Sequence, residues 1–349
     1  MGGAHGAAAR GTSRRRGATE RGADLARGGA RLPRLGARPH VARRRASPLQ
    51  LRGAVVRIVS LLPAATEIVC ALGRRDSLVG RSHACDFPEE VACLPALTRS
   101  RVDASLPSSR LDGEVRRVHS AGEPLYLLDE TRLAALAPDV IVTQAACDVC
   151  AVSYEQVAAV ARHAAPAAQV VCLLPSRLGD VLEDVRRVAA ACGVAARGDA
   201  LADALRLRLE AVRPAATRRR PRVAVVEWLE PPMLAGHWVP EALAAAGGRP
   251  IGPAPGHPSP YAAWDEIRAL QADAVVVAPC GFDLPRTRSE AAPLASTLRS
   301  LAPRVLLLDG NAYLNRPGPR LVEAVESLAA WLRDGSADGV RACAMPHGG

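Results

Sequence analysis

The sequence contains no lysine; all 45 of its basic residues are arginine. Schiff-base chemistry and a P-loop lysine are therefore excluded. Aromatic residues are scarce, ten in 349, and no run of 18 apolar residues occurs, so no segment is expected to span a membrane. G-x-G-x-x-G, Walker and G-x-S-x-G patterns are all missing, which removes phosphate-cradling loops and the common serine-hydrolase signal. The lysine deficit accompanies Ala, Arg and Gly richness and is read as genome bias rather than selection.

What is present bounds the rest. A 349-residue chain with 49% hydrophobic residues can build two domains with real cores. The formal charge of +10 is concentrated at the start: residues 1–54 hold thirteen Arg against two acids, Glu20 and Asp24, leaving the remainder near −1. A neutral body has no basic stripe for nucleic acid. Residues 1–54 are expected to be a disordered Arg-rich extension, with an organelle transit peptide or a nucleic-acid arm as alternatives; they show no apolar signal core. Nine scattered cysteines fit a reducing compartment. The expected location is cytoplasmic, or organellar if residues 1–54 are a transit peptide.

Along the body, two stretches of similar length each pass from a buried-type strand through a small-residue turn to a helix. Residues 55–175 form the first expected lobe, with strands at 55–62, 77–80, 139–143 and 169–174, helices at 66–72, 129–137 and 154–163, and an irregular or partly helical stretch at 98–122. Residues 221–334 form the second, with strands at 223–227, 274–278 and 305–308 and helices at 239–246, 263–270, 295–301 and 319–333. Between them, 176–213 has helical spacing throughout, with a break near Gly193 or Gly198 left open. One unbroken helix of that length would reach about 50 Å. Residues 335–349 read as a frayed tail. The predicted fold class is α/β, two Rossmann-like lobes joined by a long bridging α-helix, and such clamps bind ligands in the gap between lobes.

Loops after strands should carry the binding residues. In the first lobe these are Ser60, Leu62, Pro63, His83, Cys85, Asp86, Phe87, Gln144, Cys147 and Cys150. The second contributes Trp228, Pro231, Pro232, His237, Trp238, Tyr261, Trp264, Cys280, Gly281, Phe282, Asn311 and Tyr313. Seven of the ten aromatics fall in these loops, which points to a large flat ligand. Cys147 and Cys150 are compatible with a shared zinc, a redox pair, gap-lining thiols or plain packing. His83 and His237 are of the type that coordinates cobalt or iron, although a hydrogen-bonded loop histidine has the same appearance. Glu67 is expected to cap a helix and Glu227 to be solvated at a strand end, neither with an acid/base role.

These residues resemble a known family. Ile58-Val59-Ser60-Leu61-Leu62-Pro63-Ala64-Ala65-Thr66-Glu67, Leu72-Gly73, Val79-Gly80, Ser82 and Asp86-Phe87-Pro88 look like the opening of the cobalamin-binding substrate-binding proteins of ABC importers. That group lies within the iron-complex/cobalamin periplasmic-binding superfamily, the helical-backbone metal receptors. Leu136-Ala137-Pro138-Asp139-Val140-Ile141-Val142 matches the superfamily's helix-to-strand signature, and Leu270-Gln271-Ala272-Asp273-Ala274-Val275-Val276 is its weaker counterpart. Ser82–Pro88, Thr143-Gln144, the Cys147–Ser153 stretch, Pro279-Cys280-Gly281-Phe282 and the run from Asp309 to Arg320 resemble a subgroup of cobalamin-binding proteins without export signals.

The resemblance implies a class III substrate-binding architecture over about 55–333, a monomer, and no catalysis. Cobalamin or a related corrinoid would sit between the lobes, flanked by Phe87, Trp228, Trp238 and Trp264, for uptake, carriage or sensing; His83, by its residue type and loop position, is the candidate cobalt ligand. Periplasmic members dock on an ABC permease through one carboxylate per lobe; here Glu130, beside the aligned Thr131, and Asp265 are the counterparts. The alternative is a metal- or thiol-dependent enzyme acting on a corrinoid or other metal complex through Cys147, Cys150 and His83.

Overall fold

Apolar runs without alternation, such as Val140-Ile141-Val142, belong to parallel strands covered on both faces. They are so placed in the computed structural model, which describes residues 56–145, 151–212, 220–336 and 342–345. The first lobe runs β1 (Ile58–Ser60), α1 (Pro63–Ala71), β2 (Leu78–Arg81), β3 (Thr98–Ser100), α2 (Ser108–Ser120), β4 (Tyr126–Leu128), α3 (Glu130–Leu136), β5 (Val140–Gln144), α4 (Tyr154–Ala164) and β6 (Gln169–Leu173). Its sheet is parallel in the order β2-β1-β5-β6, and β3 and β4 form a separate antiparallel pair. The irregular stretch expected at 98–122 thus contains a strand and a 13-residue helix. Thr98-Arg99-Ser100 is too short and polar to stand out as a strand in sequence.

The connector departs from a single bridging helix. It is two helices, α5 (Leu178–Ala191) and α6 (Ala195–Ala211), turning at Gly193 with φ of 70°. They fold back on each other as an antiparallel pair: Gly198 lies so close to Ala189 that a Cβ on it would collide with the Ala189 methyl. Ion pairs from Arg186 to Asp199 and Asp203, at 3.3 and 3.0 Å, lie on the surface of this hairpin. Exposed pairs contribute about 0–1 kcal/mol, so the close approach is the stronger determinant. Helix α5 packs on α1 of the first lobe.

The second lobe follows as β7 (Arg222–Leu229), β8 (Pro232–Leu234), α7 (Val239–Ala245), β9 (Arg249–Pro250), α8 (Trp264–Ala269), β10 (Ala274–Val277), α9 (Leu284–Ala291), α10 (Ala295–Leu301), β11 (Arg304–Leu308), α11 (Arg320–Asp334) and β12 (Ala342–Ala344). The sheet order is β12-β11-β10-β7-β8 with antiparallel edges. The tail expected to fray therefore returns at 342–344 to pair with β11. Helix α6 packs on α11, completing the bridge. One core runs through both lobes and the hairpin, from Ile58 and Val140 through Val185 and Leu205 to Val223, Val276 and Leu321. A continuous packed core resists shear between the lobes.

The two helix-to-strand signatures have the same physical basis in each lobe. Helix α3 ends at Ala137 with φ of 40°, and the helix before β10 ends at Gln271 with φ of 49°. The Asp139 carboxylate accepts the Arg57 backbone N–H at 2.8 Å, and the Arg57 guanidinium donates to the Leu136 carbonyl at 2.8 Å. Asp273 accepts the Arg222 N–H at 2.7 Å, and Arg222 donates to the Leu270 carbonyl at 2.6 Å. Each pair ties a helix end to the entry of the central strand and fixes its register. The connector gives a direct test. Gly198→Leu should lower stability by about 1–3 kcal/mol through overpacking, read as a reduced denaturant midpoint, whereas Gly179→Ala, where nothing lies within 4 Å of the added methyl, should be neutral or stabilising.

Candidate functional site

The lobes meet along the C-terminal ends of their strands, and a buried ion cluster joins them. Glu67 on α1 is 3% exposed, and Arg316, after β11, is 5% exposed. Arg316 Nη1 lies 2.9 Å from Glu67 Oε1 and 2.6 Å from Asp86 Oδ1. Its Nη2 donates to Asn311 Oδ1 at 2.9 Å, and Asn311 Nδ2 donates to Asp86 Oδ2 at 2.8 Å. Arg320 adds bonds to both Glu67 oxygens at 2.6 and 3.1 Å. Two guanidiniums and two carboxylates neutralise each other, which is what permits the burial of Glu67, Arg316 and most of Arg320, while Asp86 stays about half exposed at 49%. Glu67 is thus an inter-lobe anchor and not the helix cap expected from its place in the sequence, because the α1 helix turns that side chain inward. Burial would raise the Asp86 carboxyl, but the Arg316 hydrogen bond and charge, Asn311 and Arg320 together hold it below the ordinary carboxylate value.

A second set of contacts crosses the rim. Tyr261 donates to Asp112 Oδ1 at 2.6 Å, and burial followed by that contact pushes its phenol up to about 12. Arg286 on α9 donates to the carbonyls of Ala104 and Leu106, and Glu290 accepts the Ser108 N–H at 3.0 Å. The Arg286 guanidinium also lies 3.7 Å from the centre of the Phe282 ring, whose other neighbour is Trp228 at 5.1 Å. The start of α2 in the first lobe is therefore fastened over the Trp228–Phe282 pair of the second. Phe87, 41% exposed, is covered on one side by Arg320 at 3.8 Å, and Tyr313 is 5.5 Å from the same guanidinium.

Other predicted residues are placed differently. Trp238 is 9% exposed in the core, with its indole N–H on the Leu314 carbonyl at 2.9 Å, and Trp264 packs against the outer core of the second lobe. These two rings do not face a gap ligand: both begin helices whose inner faces needed large apolar side chains. Cys85 is buried, held by Thr66 at 2.9 Å, and burial raises its thiol. Ser60 bonds the Leu62 carbonyl inside the same core, Pro63 opens α1, and Gln144 is buried at the end of β5. His237, at φ of 51°, is partly buried beside Trp238, and burial lowers its imidazole. Pro231 and Pro232 lead into β8; Cys280 and Gly281 lie between β10 and α9. Cys147 and Cys150 lie outside the described residues. Among the described residues no group of three His, Cys, Asp or Glu is arranged to hold a metal.

His83 is exposed, near Tyr126 at 5.5 Å, with Nδ1 2.7 Å from the Thr98 hydroxyl. With Thr98 donating to Ser82, Nδ1 carries the proton and the Nε2 lone pair is directed away. Burial, then Arg81, lowers its value, so the ring is neutral near pH 7. Glu227, expected to be solvated, is largely enclosed next to Ser259, and burial pushes its carboxyl up to about 7. A cavity of about 410 Å³ lined by His119, Tyr126, Glu155 and Gln156 belongs to the first lobe alone and holds no predicted ligand residue, so it is not the gap between lobes.

A profile of the periplasmic binding protein family matches residues 58–292. The chain belongs to this family. Solved periplasmic binding proteins share the fold. The heme-binding protein RhuT from Roseiflexus sp. RS-1 is 23% identical with a TM-score of 0.59, covering 81% of this chain and 99% of its own. The vitamin B12 binding protein BtuF of Vibrio cholerae is 20% identical with a TM-score of 0.58, covering 80% and 97%. A periplasmic heme binding protein from Pseudomonas aeruginosa is 20% identical with a TM-score of 0.59, covering 80% and 93%. No curated protein matches. At such identities the likeness establishes the two-lobed class III fold.

Family membership supports ligand binding without catalysis. It overturns the expected cytoplasmic location, and the organellar alternative with it, since the family and these relatives are periplasmic. The expectation rested on the composition of residues 1–54 and on the scattered cysteines, neither of which reports the compartment as directly as family membership does.

The ion cluster sets two expected outcomes. Arg316→Ala should cost about 3 kcal/mol, near the low end for breaking a buried pair because Arg320 still faces Glu67, and Glu67→Gln combined with Arg316→Met should recover part of it in chemical denaturation. Because the folded Asp86 value is depressed, its contribution is complete above the unfolded carboxylate pKa and is lost as pH falls through the folded one. The thermal midpoint of the wild type should therefore fall below about pH 4 more steeply than that of Asp86→Asn.

Proposed function

We propose that this periplasmic binding protein takes up cobalamin or a related corrinoid between its lobes. The observation that carries the reading is the commitment of the cleft arginines. Arg316 and Arg320 are neutralised by Glu67 and Asp86, Arg286 holds two carbonyls, and Arg81 holds the carbonyls of Ser82 and Ala92 at 3.0 Å. With these four arginines engaged among the described residues, the rim favours a macrocycle whose periphery is uncharged carboxamide over one bearing acids. Exposed Phe87 and Tyr261, with partly buried Trp228, supply flat apolar surface to such a ring. Burying a broad macrocycle against a stiff two-lobed frame needs little reorganisation, which limits the entropic cost of binding.

His83 is the side chain proposed to reach cobalt, through Nε2. Docking on an ABC permease is proposed through Glu130 on α3 and Asp265 on α8, both exposed, although Glu130 is engaged by His163 at 2.8 Å and Asp265 by Arg268. Heme is the second reading, favoured by what several solved relatives bind.

Titration with hydroxocobalamin should give a saturable one-to-one complex that survives desalting, with hemin binding at least about tenfold more weakly, a difference of about 1.4 kcal/mol. A visible-spectrum shift that disappears in His83→Ala would support the cobalt bond. Failure to retain any corrinoid refutes the reading, and tighter binding of hemin transfers it to the second.

A further inference from the structure

Strand β7 alternates in what it buries as far as Val226: Val223 and Val225 belong to the core shared by both lobes, Ala224 and Val226 to the outer core of the second lobe. The pairing with β8 then slips at a bulge between Val226 and Trp228, and Leu229 is the next residue in the outer core. Glu227 lies at that bulge, on the strand approached by α2 of the first lobe, and its neighbour Trp228 turns to Phe282. A carboxyl at a bulge beyond the apolar part of a strand has no role in packing. The Ser259 hydroxyl is its polar neighbour, itself fixed by the Gly236 N–H at 2.9 Å, and no Arg or His among the described residues forms an ion pair with it.

A second acceptor lies on the same edge. Asn315 donates its Nδ2 to the Ala278 carbonyl at 2.6 Å, which leaves its buried Oδ1 without a partner. Ala278 in turn donates to the Val226 carbonyl at 2.9 Å, and Cys280 donates to the Glu227 carbonyl at 3.0 Å, so the segment that Asn315 bonds runs alongside the end of the strand carrying Glu227. Buried acceptors left open are costly unless something donates to them. This edge of the second lobe thus offers a carboxyl without an ion-pair partner among the described residues and an amide oxygen left open.

We propose that Glu227, supported by Asn315, is the residue that discriminates ligand periphery, accepting hydrogen bonds from carboxamide N–H groups and rejecting carboxylates at the same position. This deepens the corrinoid reading and rests on it. An amide placed against Glu227 satisfies both partners, whereas an acid there sets two negative charges together in a poorly solvated site, and selectivity arises from that repulsion as much as from the attraction.

The test uses cyanocobalamin and its mono-hydrolysed derivatives, in each of which one peripheral carboxamide has become a carboxylate, titrated at pH 8 where Glu227 is ionised. Wild type should bind at least one of these derivatives about tenfold or more weakly than cyanocobalamin, as expected for a charged hydrogen bond turned into a repulsion. Glu227→Gln, isosteric and relieved of a buried charge, should compress that ratio to within about threefold, an expectation from removing the charge while keeping the shape. Glu227→Ala should weaken cyanocobalamin itself while lowering the ratio. If wild type binds cyanocobalamin and every derivative equally, or if Glu227→Gln keeps the wild-type ratio, the assignment of Glu227 is overturned while the corrinoid reading stands. If wild type retains no corrinoid at all, both fall together.

Discussion

Burying charge is tolerable only when the opposite charge comes with it, and the junction between the lobes is built on that constraint. Glu67 from one lobe and Arg316 from the other are nearly inaccessible to water, so neither can be buried without its partner. Asp86, Asn311 and Arg320 complete the set and supply the hydrogen bonds that the guanidiniums require. The cluster fixes where the lobes meet at one end of the cleft, and the Arg286 and Tyr261 contacts fix the other. Between them lies the surface proposed to receive the ligand.

The same cluster shapes the electrostatics of that surface. Arg316, Arg320, Arg286 and Arg81 are turned toward carboxylates and backbone carbonyls. The proposed selectivity would therefore draw on the same arrangement that joins the lobes. The hairpin of α5 and α6 complements it by continuing the apolar core from one lobe into the other, so the lobes are joined both by packing and by charge.

Much of the fold was legible because it follows from short-range rules. The apolar strands, the proline that opens α1 and the paired helix-to-strand signatures each act within a few residues, and the Arg57–Asp139 and Arg222–Asp273 ties show why the signatures recur. Elements that fail those rules were missed: β3 is polar and brief, and β12 is formed only by pairing; in the connector, the break left open near Gly193 or Gly198 falls at Gly193. Among the proposed site residues, aromatic content in loops drew attention to Phe87, which is exposed, to Trp228, which is partly buried, and to Phe282, which is buried beneath Arg286. It drew equal attention to Trp238 and Trp264, since a loop position does not reveal which way a ring points.

By itself the sequence determined the α/β character, the two lobes and the periplasmic-binding-protein family, because hydrophobic period, turn residues and local ties are properties of contiguous chain. Only the tertiary structure decided that Glu67 meets Arg316 across 249 residues, that Glu227 is enclosed next to Ser259 at a bulge of its strand, and that two of the tryptophans serve packing. Those outcomes depend on which distant segments share a desolvated space, and the energy of a buried charge or ring is set by that company rather than by its neighbours along the chain.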